Sequence, residues 1–270
     1  MKDFWDQVLN FTKTTCNKVG HELLADFGQV QPSEKKDGSL ITQSDKWADE
    51  DLCKAIRSTF PDHGILTEES QQIFPKSEWC WVVDPLDGTT NFARGIPLWG
   101  ISLGLLYRGI PVFGYIHMPP LGHSFHGFWY GQTGLRGPRG AFRNNRPIET
   151  CSDDPTGNHF FNFCSRSIPV VKHPFPCKIR LLGVASYNFL CVAAGSTIGG
   201  VEATPKVWDI CGAYPIVKAA GGVWTPLESA PIFPLKSGQD YKERNFPALV
   251  VAKSELVPIF KPFVKSLRKG

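Results

Sequence analysis

The segment that most restricts this chain is Asp84-Pro85-Leu86-Asp87-Gly88-Thr89-Thr90-Asn91, which follows directly on the apolar run Trp79-Cys80-Trp81-Val82-Val83. A short apolar run of this kind reads as a buried strand. Two carboxylates three positions apart therefore fall at the end of a strand, with a small Gly-Thr-Thr turn behind them. Close carboxylates suit hard divalent cations. A glycine followed by hydroxyls and unpaired backbone N–H groups suits a phosphate. Both at one strand end point to metal-assisted phosphate chemistry.

The rest of the chain gives that site an ordinary globular setting. At 270 residues it has room for two closely packed units. Its 42% hydrophobic and 20% charged residues are those of a soluble protein, and no apolar stretch is long enough to span a bilayer. The start, Met1-Lys2-Asp3-Phe4-Trp5, lacks the apolar core of a secretory leader. A net charge of +4, thinly spread, argues against nucleic acid as a partner, and the basic residues Lys261, Lys265, Arg268 and Lys269 read as a solvated terminal helix. Eight cysteines without a C-x-x-C pair read as reduced, partly buried thiols, hence a cytoplasmic location. His117, His123 and His126 flank a Pro-Pro-Leu-Gly turn; a metal site is one reading of them and a surface hairpin the better one.

Apolar positions at Phe4, Val8, Phe11, Leu23 and Leu24 predict an amphipathic helix over 3–27, and a second runs from Ser44, as N-cap, to Phe60. Strands are expected at 65–67, 79–83, 99–107 and 111–117, the last two joined through Tyr107-Arg108-Gly109. Residues 131–158 are rich in Gly, Arg, Asn and Pro, and a boundary near 150 divides a mixed α+β half, 1–150, from an α/β half, 151–270. In the second half, strands are expected at 180–182, 200–203 and 248–252, and helices at 185–195 and from Trp208 to Ala220. The latter contains Pro215, a kink signal, and ends at Gly221-Gly222.

Each acid near the strand ends has a second reading. Glu68 and Glu69 also read as loop acids, Asp84 and Asp87 as turn formers, and Asp45 and Asp209 as residues favoured at helix starts. Taken together they carry more.

Asp84-Pro85-Leu86-Asp87-Gly88-Thr89-Thr90-Asn91-Phe92 resembles the first signature of the inositol monophosphatase family. Trp208-Asp209, with Cys211-Gly212-Ala213 and the closing Gly221-Gly222, resembles the second. Thr67-Glu68-Glu69-Ser70 and Leu40-Ile41-Thr42-Gln43-Ser44-Asp45 resemble two further elements of that family, in its order, and the likeness spans roughly residues 5–255. The resemblance implies a layered αβαβα sandwich of the sugar-phosphatase superfamily, an α/β (α+β) fold, usually dimeric. It implies Mg²⁺ held by Glu68, Asp84 and the Leu86 carbonyl, and a second Mg²⁺ held by Asp84, Asp87 and Asp209. Glu68 and Thr89 would activate water, and Asp45 would orient Thr89. Gly88, Thr89 and Thr90 would bind phosphate, with Ala185, Glu202 and Asp209 at the substrate. Asn91 reads as structural. The lysine the family places near its site is Lys35 or Lys36, and Pro205 and Lys206 depart from the best-known members.

The chemistry is coherent on its own terms. A phosphate monoester dianion repels hydroxide; two cations neutralise it, lower the pKa of a bound water and stabilise the leaving alkoxide. The expected reaction is direct attack of water, without a phosphoenzyme, on a small phosphorylated polyol. Myo-inositol 1-phosphate is the simplest such substrate, and Li⁺ inhibition is a further expectation. Histidinol phosphate, fructose 1,6-bisphosphate and 3′-phosphoadenosine nucleotides are the alternatives within the superfamily. A catalytically silent binding protein is the alternative of another class, weakened by the intact set Glu68, Asp84, Asp87, Thr89 and Asp209.

Overall fold

The computed structural model describes residues 2–35, 38–172, 174–228 and 231–264. The chain begins with α1 (Lys2–Asp26), the two-residue strands β1 (Ser33–Glu34) and β2 (Leu40–Ile41), and α2 (Gln43–Thr59). Then come β3 (Gly64–Thr67), β4 (Trp79–Asp87), α3 (Thr89–Ala93), β5 (Gly100–Tyr107), β6 (Ile110–Met118), β7 (His123–Phe128), β8 (Gly140–Arg143) and β9 (Arg146–Ile148). The remainder is β10 (Phe160–Phe163), β11 (Lys178–Leu181), α4 (Ala185–Ala193), β12 (Gly199–Glu202), α5 (Val207–Cys211) and α6 (Ala213–Ala219). It closes with β13 (Val223–Pro226), β14 (Ala248–Val251) and α7 (Val257–Phe260).

Strands β3 to β9 form one seven-stranded sheet in sequence order, antiparallel except for the parallel pair β3–β4. The second sheet has five strands in the order β11-β10-β12-β14-β13. Side-chain alternation along β4 shows how layers are built on the first sheet. Trp81 and Val83 join a core with Val8, Leu52 and Ile56 of α1 and α2, whereas Cys80 and Val82 join a core with Ile210, Ile216 and Val217 of α5 and α6. Asn162 of β10 donates to the Asn188 carbonyl of α4, while its neighbour Phe161 packs, rings tilted, with its centroid 4.7 Å from that of Phe260 of α7. The order of layers is helix, sheet, helix, sheet, helix.

The middle layer lies very close to the first sheet because glycines let it. A Cβ on Gly114 of β6 would fall 1.8 Å from the Gly212 carbonyl oxygen, and one on Gly104 of β5 2.7 Å from Cys211 backbone. The helix expected from Trp208 to Ala220 is accordingly two, broken at Gly212, with Pro215 in the first turn of α6 where its missing N–H costs nothing.

Several expectations need correction. Thr42, not Ser44, caps α2: its hydroxyl accepts from the Ser44 and Asp45 amides. Leu24 is exposed, and Trp5, Thr12, Cys16 and Val19 complete the buried stripe of α1. β4 runs on through Asp87, resuming at Asp87↔Gly100 after an irregularity that absorbs Pro85, so its acids lie in the strand rather than after it. The segment 31–38 holds β1, and 131–158 holds β8 and β9. The histidine turn is a hairpin, but His126 is buried against Phe142, 4.8 Å away, and burial holds its pKa down at about 4. Lys265, Arg268, Lys269 and Lys36 lie outside the described residues. All eight cysteines are free thiols.

Candidate active site

The carboxylates converge because four segments end in one cavity of about 550 Å³, lined by Glu68, Asp84, Asp87, Glu202 and Asp209 among others. Ligand oxygens of Asp84, Asp87 and Asp209 all lie within 4.8 Å of one another. Asp84 accepts from the Leu86 amide at 3.0 Å through Oδ1, while its Oδ2 is buried with no partner. Asp87 accepts from the Ala185 and Ser186 amides, at 3.3 and 2.7 Å. It thereby caps α4 from the other sheet, a role that its own neighbours would not reveal. Asp209 accepts from the Lys206 amide at 2.6 Å, so it is a capping acid and a cavity acid at once.

Burial raises the pKa of all three, and on two of them like charge adds to it: Glu68, Asp87 and Asp209 press on Asp84, while Asp87 and Glu68 press on Asp209. On Asp87 the two amide donors oppose the burial. Such a cluster needs positive charge, and its donor set is all oxygen, which suits Mg²⁺. With the partnerless Asp84 Oδ2, the residues fit that ion.

Glu68 follows β3, its amide held by the Val83 carbonyl at 3.2 Å. Its carboxylate meets the Lys35 ammonium at 2.7 Å, and Glu69 meets the same ammonium at 2.6 Å. Lys35 is thus placed at the site, delivered by the β1–β2 hairpin. Burial works against its charge, but the two carboxylates outweigh it and raise its pKa. Burial and then Glu68 push Glu69 up to about 7. Glu69 thus shares Glu68's counterion.

Thr89 begins α3, and its hydroxyl has two acceptors, Asp45 Oδ1 at 2.9 Å and the Leu86 carbonyl at 3.0 Å. Asp45 is itself fixed by Thr42, whose amide and hydroxyl donate to Oδ2 at 2.7 and 2.6 Å. Burial nevertheless raises the pKa of Asp45. Gly88 precedes α3 at φ +94°, and a Cβ there would fall 2.9 Å from Val184 Cγ2 and 3.1 Å from the Leu98 carbonyl. Only glycine fits. The first-turn amides of α3 have no intrahelical acceptor and border the cavity with Gly88, Thr89 and Thr90. Asn91 turns away and donates to the Leu98 and Leu182 carbonyls, each at 2.9 Å.

Glu202 ends β12, is buried, and accepts from the Asn188 side chain. Burial pushes it up to about 7 against hydrogen bonds from Cys164 and Asn188. Ala185 lines the cavity, but its amide is committed to Asp87. Cys151, Asp153 and His159 form a second grouping with metal-ligand side chains. There the Thr156 amide donates to His159 Nδ1 at 3.0 Å, which leaves the proton on Nε2, the nitrogen facing Asp153 at 3.3 Å. That tautomer suits a hydrogen bond, not an ion.

Known proteins resemble this chain over nearly all of it. The model of the inositol monophosphatase family matches residues 5–255. The fructose-1,6-bisphosphatase/inositol-1-monophosphatase of Thermotoga maritima is 34% identical over 80% of this chain and 84% of its own length. An inositol-1-monophosphatase of Mesorhizobium japonicum is 30% identical over 97% of this chain and 96% of its own. A solved structure of a Thermotoga maritima IMPase superposes with a TM-score of 0.79 at 28% identity, covering 94% of this chain and 97% of that one. With the cavity, its carboxylates and these likenesses in agreement, the chain belongs to the inositol monophosphatase family of phosphoric monoester hydrolases.

Proposed function

We propose that this protein is a Mg²⁺-dependent phosphatase of small phosphorylated polyols, with myo-inositol 1-phosphate as its simplest substrate. The observation that carries the reading is the convergence of Asp84, Asp87 and Asp209 within 4.8 Å, Asp84 Oδ2 partnerless, beside the Gly88–Thr90 turn. Asp84, Asp87 and Asp209 would hold one ion, and Glu68, Asp84 and the Leu86 carbonyl another. Bound there, Mg²⁺ supplies charge neutralisation for the dianion, acidifies water and stabilises the leaving alkoxide.

The chain's own groups do the rest. The amides of Gly88, Thr89 and Thr90 and the Thr90 hydroxyl take the phosphate oxygens. The Asp45 carboxylate accepts the hydrogen bond from the Thr89 hydroxyl, which turns the Thr89 lone pairs toward the attacking water. Glu68 receives that water's proton, and Lys35 keeps its carboxylate in place. Glu202 accepts a hydrogen bond from a substrate hydroxyl, and Ala185 forms part of the wall against the ring.

Phosphate release from myo-inositol 1-phosphate, measured with Mg²⁺ and with chelator, tests the reading. Turnover that requires Mg²⁺ and disappears in Asp209→Asn is expected. Absence of turnover on every phosphorylated polyol tried, or turnover indifferent to chelator, would refute it.

A further inference from the structure

Helix α2 carries two buried carboxylates on one face, one turn apart. Asp45 accepts from the Thr89 hydroxyl at 2.9 Å. Asp49, four residues on and 2% exposed, does not line the cavity. Its Oδ2 accepts from the Ser70 hydroxyl at 2.5 Å, and its Oδ1 is buried with no partner among the described residues. A buried carboxylate with an unmatched oxygen is a poor anchor for a helix, and an apolar side chain would pack there more favourably. The contacts beyond Ser70 supply the reason for an acid.

Ser70 closes the short turn that carries Glu68 and Glu69, and the direction of its hydrogen bonds is fixed. The Thr67 hydroxyl oxygen accepts from the Ser70 amide at 2.9 Å and from the Gln71 amide at 3.1 Å. With both lone pairs used, its own O–H is the donor in the 3.0 Å contact with Ser70 Oγ. Ser70 in turn donates to Asp49. The group at the end of this chain must accept and never donate, which an ionised carboxylate does. Burial raises the pKa of Asp49, and the Ser70 and Thr67 hydroxyls oppose that rise. The Thr67 amide donates to the Gln71 carbonyl at 2.8 Å and shuts the turn at its base. Glu68 is gripped through its own backbone as well. Its amide donates to the Val83 carbonyl at 3.2 Å, and its carbonyl accepts from the Gln72 side chain at 2.6 Å.

We propose that Asp49 is a positioning residue for the reaction, which acts through Ser70 and Thr67 to set where the Glu68 carboxylate stands relative to Thr89. The proposal rests on the phosphatase reading above and extends it to how the two groups that handle the attacking water keep their spacing. Thr89 is tied to Asp45 and the Glu68 turn to Asp49, so one helix face spaces both. That helix is itself firmly seated. Its Ala48, Leu52 and Ile56 are wholly buried, in one core with Trp81 and Val83 of β4, the strand that ends in Asp84 and Asp87.

Steady-state phosphate release from myo-inositol 1-phosphate, together with thermal melting over a Mg²⁺ series, tests it. Asp49→Ala and Ser70→Ala should each lower kcat roughly tenfold or more at saturating Mg²⁺, with KM within about twofold of the wild type. Ser70 is exposed, so its variant reads the role even where Asp49→Ala fails to fold. Because Glu68 is a proposed ion ligand, the midpoint of the Mg²⁺-induced rise in melting temperature should move to roughly tenfold higher Mg²⁺ in both. The double variant should be no worse than either single one, since both cut the same chain. Asp49→Asn keeps an acceptor for Ser70 and should restore kcat to within about threefold of the wild type. Ile56→Val trims the same helix away from the turn and should lower the melting temperature with kcat unchanged. Wild-type kcat and Mg²⁺ midpoint in the alanine variants, effects that add in the double variant, an asparagine variant no better than alanine, or an equal kcat loss in Ile56→Val would overturn the positioning role. Each of these leaves the phosphatase reading standing. A wild type that releases no phosphate from any phosphorylated polyol would overturn both.

Discussion

Replacing Asp84 by Asn separates stability from ion binding in opposite directions. In the ion-free protein Asp84 sits within 4.8 Å of Asp87 and Asp209. Two full charges at that distance repel by about 3.5 kcal/mol at an effective dielectric near 20. Partial protonation of the cluster and Lys35 relieve part of this, leaving a net gain of about 1–2 kcal/mol from removing one charge. The substitution is otherwise well tolerated. Asn Oδ1 keeps the Leu86 amide, and the new Nδ2 replaces an oxygen that has no partner and finds acceptors in Asp87 and Asp209. Melting followed in chelator should therefore show the variant about 2–8 °C above the wild type. Magnesium reverses the order. At a hundred times Kd, one occupied site adds about 2.7 kcal/mol, or roughly 5–10 °C, to the wild type. The variant should lose most of that rise and, in parallel phosphate-release assays, all activity. A magnesium-induced rise equal to the wild type's, with hydrolysis retained, would refute the ligand assignment. A variant less stable than wild type in chelator would refute the repulsion argument.

Three further outcomes follow from single contacts. Glu202 is raised to about 7 when folded, so the stability it contributes is present below its ordinary pKa of about 4.3 and is lost as pH rises through 7. Glu202→Gln should flatten the fall of ion-free stability between pH 5 and 8, by up to about 1.4 kcal/mol per pH unit, in urea titrations at several pH values. Asn91→Ala strips the Leu98 and Leu182 carbonyls of their donor and should cost about 2–3 kcal/mol of unfolding free energy, read from urea titration. Gly88→Ala combines a φ of +94° with a contact of 2.9 Å on Val184. It should cost at least about 1–2 kcal/mol and raise the KM for any phosphorylated substrate, which steady-state kinetics reads directly.

Much of this architecture is written locally. The apolar run before Asp84, the apolar block at 99–107 and the amphipathic stripe of α1 each declare their element, and the four acidic segments declare the site. The remainder depends on partners distant in sequence. β8 and β9 are four and three residues long and hold their place by pairing with β7 and each other, so their Gly-, Arg- and Asn-rich sequence looks like loop. Whether Thr42 or Ser44 caps α2 depends on where the chain enters the helix, which Thr42's extended backbone decides. Lys35 and Lys36 are alike in sequence, and it is the fold of the β1–β2 hairpin that carries Lys35 to Glu68. The raised pKa of Glu202 comes from burial, which no short motif encodes.

The close approach of Gly104 and Gly114 to the Cys211–Gly212 backbone reaches beyond packing. Asp209 sits two residues upstream of that contact, on a helix only five residues long. Main chain resting on main chain works like a machinist's reference face. It sets how far Asp209 stands from the Asp84 strand without depending on any side chain's rotamer. Spacing between ion ligands is thereby recorded at positions that carry no chemistry themselves. A methyl group added at Gly114, remote from every reacting atom, would move one jaw of the clamp relative to the other.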